Sequence, residues 1–242
     1  IGKPLSFLRA EREDTEQLDE ILMAARANGI LEGEVRNRRK SGDFFYSNVV
    51  ISAITDPGDS DVNFVEMGLD ISRHMENAQE LWRQANHDAL TGLPNRLLFE
   101  DRLEVACGHS DAEGHSIALL YIDLDGFKPI NDRYGHEVGD QVLRKVGERI
   151  KNTVRTGDTV ARLGGDEFAV IADDVKNKEE AEWVAQKIAA SVQRQMEMGA
   201  LSISVGASIG VAMFPEDSTE TVALLGLADD KMYKQKRIRK SG

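Results

Sequence analysis

The chain has 242 residues, of which 41% are hydrophobic and 30% charged, enough for two small domains with cores of their own. Its formal net charge of −12 argues against nucleic-acid binding, because proteins that bind a polyanion usually present a basic face. Cys107 is the only cysteine, which excludes a disulfide framework and suits a reducing cytoplasm. No apolar run approaches the ~20 residues of a membrane span. The start at Ile1 rather than Met indicates a segment of a longer protein, with an upstream membrane anchor left open.

Residues 13–70 predict a helix followed by an antiparallel meander. The helix, over 13–28, places apolar side chains such as Ile21 and Ala25 on one stripe. Three runs with strand composition follow, separated by turns at 41–43 and 56–59: Gly33–Lys40, Phe44–Thr55 and Val62–Asp70. These elements form half of a small α+β domain, because alone they would expose a sheet edge and half of a core.

The most regular segment is 71–89, where apolar residues recur at alternating spacings of four and three. The positions are Ile71, Met75, Ala78, Trp82, Ala85 and Ala89. This spacing is a heptad seam, which is typical of a helix that pairs with another helix. Two interpretations stand: a dimerising stalk, favoured by what lies on either side, and a surface helix packed on its own domain.

From residue 88 onward, helical and strand patterns alternate around one central strand. Ser116–Asp123 carries a continuous apolar run and is predicted to be covered on both faces. The other predicted elements are helices at Asn95–Ala106, Pro129–Tyr134, Asp140–Val154, Glu179–Met196 and Thr219–Lys236, a hairpin of Thr159–Leu163 and Glu167–Ala172, and a long strand or hairpin at Leu201–Phe214. The predicted fold class is α+β, with a palm-like, mainly antiparallel sheet flanked by helices.

Four carboxylates lie where a binding site is expected. Asp123 and Asp125 end the central strand, and Asp166 and Glu167 follow two glycines at the tip of the predicted hairpin. Each one alone is explained simply as a solvated surface charge. If the hairpin pairs beside the central strand, however, three or four carboxylates converge. Divalent cations would relieve their mutual repulsion and create a phosphate site.

The residues around these carboxylates match the motifs of a known family in order and spacing. Gly164-Gly165-Asp166-Glu167-Phe168 is the signature of the GGDEF family. The run DLDGFKPINDRYGHEVGD, at 123–140, is similar to the family's nucleotide-binding segment, and DALTGLPNR, at 88–96, resembles its first motif. Residues 88–240 therefore resemble a GGDEF-type diguanylate cyclase.

The resemblance implies an enzyme that condenses two GTP into cyclic di-GMP with release of two pyrophosphates, in bacterial second-messenger signalling. Because one domain holds one GTP in this way, it implies a homodimer of facing domains. It also implies Mg²⁺ (or Mn²⁺) held by Asp123, Asp166, Glu167 and the carbonyl of Leu124. Asp166 and Glu167 are the implied catalytic residues. A competing function is a binding module that senses GTP or cyclic di-GMP without turnover, but the intact signature favours the enzyme.

The same motifs imply the contacts to GTP. The residues concerned are Phe127, Lys128, Asn131, His136, Asp140, Gly164, Gly165, Lys236 and Lys240. Asn131 and Asp140 would hold the guanine edge, and a carboxylate does match the N1–H and N2–H₂ donors of guanine. Asp140 has a competing role as the N-cap of the helix that it is predicted to open. The family's usual Gly-Arg pair after Lys236 reads Arg239-Lys240 here, which keeps the positive charge and loses the glycine.

A second motif concerns regulation. Arg155-Thr-Gly-Asp158 resembles the family's R-x-x-D site, at which the product inhibits the enzyme. Arginine offers a two-pronged donor to a phosphate or a guanine edge, and aspartate accepts guanine N–H groups. The alternative is a surface ion pair of little energetic value.

The N-terminal residues resemble the second half of a PAS sensor domain at 32–43 and 65–73. Asp70-Ile71-Ser72 resembles the short motif that links PAS domains to an output helix. We therefore expect a partial PAS domain over 1–72, a signalling helix over 73–87 and a GGDEF domain over 88–242. The helix would carry a PAS signal by setting how two GGDEF domains face each other. The PAS ligand or signal is not readable from the sequence.

Overall fold

The computed structural model describes residues 12–55, 62–113, 115–199 and 201–241. The chain divides into two compact units, Ile1–Trp82 and Arg83–Gly242. The turn expected at 56–59 lies outside the described residues, and so does the side chain of Lys240. No helix in the described part of the chain is both long and apolar enough to span a membrane.

The first unit contains the predicted helix and meander. Helix α1 (Arg12–Asn28) packs on one face of an antiparallel sheet of order β1-β2-β3, formed by Ile30–Arg38, Phe44–Thr55 and Val62–Asp70. Its small core consists of Ile21, Ala25, Val35, Val49 and Ile51. Large apolar side chains of β2 and β3 remain exposed, among them Ile54, Met67 and Leu69.

Helix α2 (Ser72–Asn86) contains most of the heptad seam. None of its residues is buried, and Trp82 is 54% exposed. A surface helix packed on its own domain would bury its apolar stripe, and no residue of this stripe within α2 is buried; the stalk itself stays a prediction.

The second unit is built around a four-stranded sheet. In chain order its elements are α3 (Arg96–Glu113), β4 (Ile117–Asp125), α4 (Phe127–Tyr134), α5 (His136–Thr153), β5 (Thr159–Gly164), β6 (Glu167–Ala172), α6 (Lys178–Gln193), β7 (Met196–Met198), β8 (Leu201–Ile203), β9 (Gly206–Phe214) and α7 (Thr221–Ser241). The main sheet has the order β5-β6-β4-β9, with every neighbour antiparallel. The predicted central strand is confirmed, because β4 is buried at every position except Asp125.

Alternation along β4 separates two cores. Side chains such as Leu120 and Ile122 face α5 and α6, whereas Leu119 and Tyr121 face α3 and α7. By this alternation Asp123 and Asp125 belong to the α3/α7 side. The last turns of α7 can therefore reach both carboxylates.

Two predictions about these elements are wrong. Helix α5 begins at His136 with Gly135 as its N-cap, so Asp140 lies inside the helix and does not cap it. The run 201–214 is neither one strand nor one hairpin, because β8 pairs with β7 and β9 joins the main sheet. Three-residue strands are too short for a periodicity signal, which explains why β7 was not predicted and its first residue, Met196, was assigned to the preceding helix.

Candidate active site

The hairpin tip lies at the end of the central strand. Strand β6 pairs with β4 so that Glu167 is directly opposite Asp123, and the Leu124 N–H donates to the Asp166 carbonyl at 3.2 Å. Gly164 and Gly165 have φ values of 149° and 50°, which side chains rarely allow. The expected pairing of the hairpin beside the central strand is therefore confirmed, and the glycines make its tight turn possible.

Asp123 is the electrostatic centre of this edge. Its side chain is mostly buried and accepts a hydrogen bond from the Lys236 ammonium group on α7. Burial raises the pKa of the Asp123 carboxyl, and the charges of Asp166 and Asp125 raise it further against the opposing effect of Lys236. Negative charge at Asp166 and Asp125 thus disfavours ionisation of Asp123, and the edge favours additional positive charge.

Asp125 is held by a residue that departs from the family pattern. The Arg239 Nη1 donates to Asp125 Oδ2 at 3.0 Å and to the Ala207 carbonyl at 2.6 Å. The Ser208 hydroxyl donates to Asp125 Oδ1 at 2.9 Å. Arg239 thus fastens the end of α7 to both β4 and β9, a contact that sequence reasoning missed.

Glu167 has one hydrogen-bond donor and one ion-pair partner on the α3 side. The Tyr121 hydroxyl donates to Glu167 Oε2 at 2.9 Å, and Arg96 Nη2 lies 3.6 Å from the same oxygen. Burial raises the pKa of Tyr121 to about 12, with Glu167 adding to the shift and Arg96 opposing it, so the phenol remains a donor. Sequence reasoning missed both partners, although Tyr121 is the one aromatic residue in the apolar run of β4.

Three carboxylates of this edge have different partners. Asp123 pairs with Lys236, Asp125 with Arg239 and Glu167 with Tyr121. Within the described ranges no three Asp, Glu, His or Cys side chains form a ready-made metal site. The donor chemistry of Asp123 and Asp166 nevertheless fits a hard divalent cation, since both supply carboxylate oxygens and their charges repel.

The α4–α5 corner contains an unsatisfied acceptor. Asn131 Oδ1 is buried and has no hydrogen-bond partner. A Cβ on Gly139 would lie 1.8 Å from this oxygen and 3.3 Å from the Phe127 ring, so only glycine fits there. Asp140 follows directly and is partly buried. An orphaned buried oxygen beside a carboxylate is a favourable place for a ligand with N–H donors.

The remaining residues expected at the nucleotide lie around the same corner. Phe127 opens α4, but its side chain is only 8% exposed and belongs to the core, so its backbone N–H is the group that can face a ligand. Lys128 and His136 are exposed at the starts of α4 and α5. The first N–H groups of a helix lack intrahelical acceptors and attract anions.

Arg162 joins the first motif to the hairpin turn. Its Nη1 lies 3.0 Å from both carboxylate oxygens of Asp88, while its Nε and Nη2 donate to the Gly165 carbonyl at 3.1 and 2.7 Å. Burial opposes ionisation of Asp88, but hydrogen bonds from Thr91 and Arg162 lower its pKa overall. The sequence signal for this role was an arginine within the largely buried strand β5.

Arg155 and Asp158 lie apart from these carboxylates, at the turn between α5 and β5. Asp158 accepts hydrogen bonds from the backbone N–H groups of Arg155, at 2.8 Å, and Asp173, at 3.2 Å. The Arg155 guanidinium instead donates to Glu180 Oε1 at 2.9 Å. The alternative, a surface ion pair between Arg155 and Asp158, is not formed, because the Arg155 guanidinium pairs with Glu180.

Comparisons with known proteins agree with these motifs. The family described as "Diguanylate cyclase, GGDEF domain" matches residues 85–241. Among curated proteins of Pseudomonas aeruginosa, the bifunctional diguanylate cyclase/cyclic di-GMP phosphodiesterase MucR is 40% identical over 68% of this chain and 24% of its own length. Diguanylate cyclase TpbB is 44% identical over 67% of this chain and 37% of its own length.

A solved structure is similar as well. The coiled coil and GGDEF domain of DgcB from Caulobacter crescentus, in complex with c-di-GMP, superposes with a TM-score of 0.62 at 31% identity, covering 69% of this chain and 88% of that one. The fold of the second unit is thereby confirmed as GGDEF-like. The chain spans about a quarter to somewhat over a third of the length of these two curated relatives.

Proposed function

Because the chain belongs to the GGDEF family of diguanylate cyclases, we propose that it condenses two GTP molecules into cyclic di-GMP. The observation that carries the proposal is the pairing of the hairpin tip beside the end of β4. It sets Glu167 opposite Asp123 and joins the Leu124 N–H to the Asp166 carbonyl, and Lys236 donates to Asp123. In each half-reaction the 3′-hydroxyl oxygen of one GTP bonds to the α-phosphorus of the other, the hydroxyl proton is released and pyrophosphate leaves. The second half-reaction closes the ring.

Asp123, Asp166 and the Leu124 carbonyl would hold Mg²⁺ or Mn²⁺, with Glu167 supporting them. The bound cation supplies charge neutralisation at the phosphate and a lower pKa for the attacking hydroxyl. Tyr121 and Arg96 fix the orientation of the Glu167 carboxylate, so that it need not reorganise during the reaction. The Lys236 ammonium group donates to Asp123 and adds a positive charge at the same edge.

Selection of guanine follows from the α4–α5 corner. The orphaned Asn131 Oδ1 can accept from one guanine N–H group and the Asp140 carboxylate from the others. Adenine presents an acceptor at N1 and would repel that carboxylate. The phosphates then extend toward the backbone N–H groups of Phe127 and Lys128, the Gly164–Gly165 turn and Lys240, while His136 lies beside the nucleotide.

A homodimer is required because each domain supplies one GTP. The exposed seam of α2 is the proposed contact between two chains, and a PAS-like signal would alter the pairing of the two helices. Insertion of four residues within 76–84 moves the apolar positions after the insertion out of the heptad register and should change turnover. Insertion of seven residues, one full heptad, keeps the register and is the matched control. Equal turnover in both variants would contradict a stalk.

Regulation by the product is proposed at Arg155 and Asp158. Both side chains line one cavity, where a guanidinium and a carboxylate are complementary to a phosphate and a guanine edge. The site lies on the α5–β5 turn rather than at the carboxylate edge, so product bound there would act on catalysis at a distance.

The direct test is incubation of the purified chain with GTP and Mg²⁺, followed by chromatography for cyclic di-GMP. ATP under identical conditions is the matched control. We expect cyclic di-GMP from GTP and no cyclic dinucleotide from ATP. GTP binding to a demonstrated dimer without product would contradict the proposal and favour a sensing module.

A further inference from the structure

An exposed tryptophan lies beside the proposed regulatory residues. Trp183 of α6 is 56% exposed and lines the same cavity, of about 200 Å³, as Arg155 and Asp158. Lys187, one turn further along α6, places its ammonium group 4.2 Å from the centroid of the indole ring. The indole ring thus has a cation over one face, and it adjoins donors and acceptors that fit a nucleotide.

The cavity continues into a second one with basic walls. This neighbour, of about 480 Å³, shares Thr153 and Lys187 with the first and is also lined by Arg149 and Arg194. None of the residues that line it is acidic. In a chain of net charge −12 this is a local excess of positive charge, and such a surface attracts phosphate.

The indole ring adds a second kind of contact to those of Arg155 and Asp158. A guanidinium can also stack on a base, but the indole presents a larger aromatic surface to a purine ring. Every base has a π-face, and stacking on an aromatic side chain adds affinity that hydrogen bonds in water do not. Lys187 lies on the same side of α6 and can interact with a phosphate attached to the stacked base.

We propose that Trp183 is the stacking platform for a guanine base of cyclic di-GMP at the Arg155–Asp158 site, with Lys187 and Arg194 forming its phosphate subsite. This inference rests on the proposed function, because it takes the product as the ligand. It extends the regulatory site from the α5–β5 turn across one face of α6.

Glu180 is an intramolecular competitor for this ligand. Its Oε1 accepts from Arg155, and its Oε2 accepts from the Lys176 N–H at 2.9 Å. The Asn177 side chain in turn accepts from the Glu180 N–H, which is the N-cap hydrogen bond at the start of α6. A nucleotide that engages Arg155 must displace only the first of these contacts. Glu180 thus raises the concentration of product needed to occupy Arg155, while the helix cap stays in place.

The test uses the fact that the chain has two tryptophans. In a Trp82→Phe background, Trp183 is the sole tryptophan, and added cyclic di-GMP should quench its fluorescence saturably. By calorimetry, Trp183→Ala should weaken binding about 5- to 150-fold, the range for loss of one stacked base. Trp183→Phe keeps an aromatic face and should recover most of the affinity.

Glu180→Gln provides the opposite test. Glutamine retains the helix cap and removes the charge that holds Arg155, so binding should tighten up to about fivefold, the range for an exposed ion pair. Weaker binding in this variant would contradict the competitor role. Arg155→Ala tests product binding at the Arg155–Asp158 site while leaving Trp183 in place.

If Arg155→Ala loses binding while Trp183→Ala binds like the unaltered chain, the platform is overturned and the proposed regulatory site stands. If cyclic di-GMP fails to quench Trp183 and calorimetry shows no binding, both the platform and product regulation are overturned. The cyclase activity is measured separately with GTP, so its own failure is visible whatever the binding result.

Discussion

The carboxylate edge and the Arg155 cavity contain similar chemistry in different surroundings. At the edge, Asp123 is buried, and three carboxylates each accept a hydrogen bond from a donor of their own: Asp123, Asp125 and Glu167. At the cavity, Arg155 is 64% exposed and its ion pair with Glu180 is open to water. Charge interactions strengthen as water is excluded. Substitutions at the edge should therefore abolish turnover, whereas substitutions at the cavity should change only the response to product.

The largest expected effect follows removal of a carboxylate from the edge. Asp166→Ala should lower the turnover number at least about 10²- to 10³-fold, the usual size for loss of one preorganised electrostatic group. The readout is the initial rate of pyrophosphate release. Asp101→Ala, at an exposed position of α3, is the matched control and should retain activity. Comparable rates in the two variants would contradict the site assignment.

The second effect tests how firmly the edge is anchored. Asp88→Asn should lower the free energy of unfolding by about 3 kcal/mol, because Arg162 would keep its partly buried charge without a carboxylate partner. Urea denaturation measures this, with Asp101→Asn as control. The pKa of Asp88 is lowered in the folded chain, so its stabilisation is present above the ordinary value of 3.8 and is lost as pH falls below it. The difference in free energy of unfolding between the unaltered chain and Asp88→Asn should therefore shrink in acid.

A third effect tests the guanine corner. Gly139→Ala would place a methyl group against Asn131 Oδ1 and displace the amide. We expect the KM for GTP to rise about tenfold, comparable to loss of one hydrogen bond. Gly108→Ala, in α3, has open space around the added methyl and should leave the KM unchanged. An unchanged KM in Gly139→Ala would exclude Asn131 from the substrate site.

The smallest effect on turnover in the absence of product is expected at the cavity, where substitutions change the response to product instead. Arg155→Ala should raise the concentration of cyclic di-GMP that halves the rate by about tenfold or more, since a charged hydrogen-bond donor to the ligand is lost. Arg155→Lys keeps the charge without the two-pronged geometry. Its inhibitory concentration of cyclic di-GMP should therefore lie between those of the unaltered chain and of Arg155→Ala. Each variant is compared with its own rate in the absence of product. Inhibition equal to that of the unaltered chain would place the regulatory site elsewhere.

The sequence predicted the elements that are long and strongly patterned. The apolar run of β4 and the Gly164–Gly165 turn are local signals, and both were read correctly. The start of α5 was misplaced because its N-cap is Gly135, with φ of 85° and no side-chain cap, whereas Asp140 had the composition of a cap. The pairing of β7 with β8 depends on a short tertiary contact that no periodicity announces.

At the site, too, local motifs were predicted and tertiary contacts were not. Motifs identified Asp123, Asp166 and Glu167, but not the groups that hold them. Arg239 contacts Asp125 across 114 positions and Arg162 contacts Asp88 across 74, so no local pattern could pair them. Trp183 was passed over for a similar reason, because its meaning comes from the cavity that it shares with Arg155.

The most direct measurement quantifies pyrophosphate and cyclic di-GMP in one reaction of the purified chain with GTP and Mg²⁺, beside the Asp166→Ala variant. The predicted result is two pyrophosphates for each cyclic di-GMP, with a rate at least about 100-fold lower in the variant. Product at equal rates from both proteins would contradict catalysis by the carboxylate edge. A dimer that binds GTP and releases no pyrophosphate would contradict the cyclase itself.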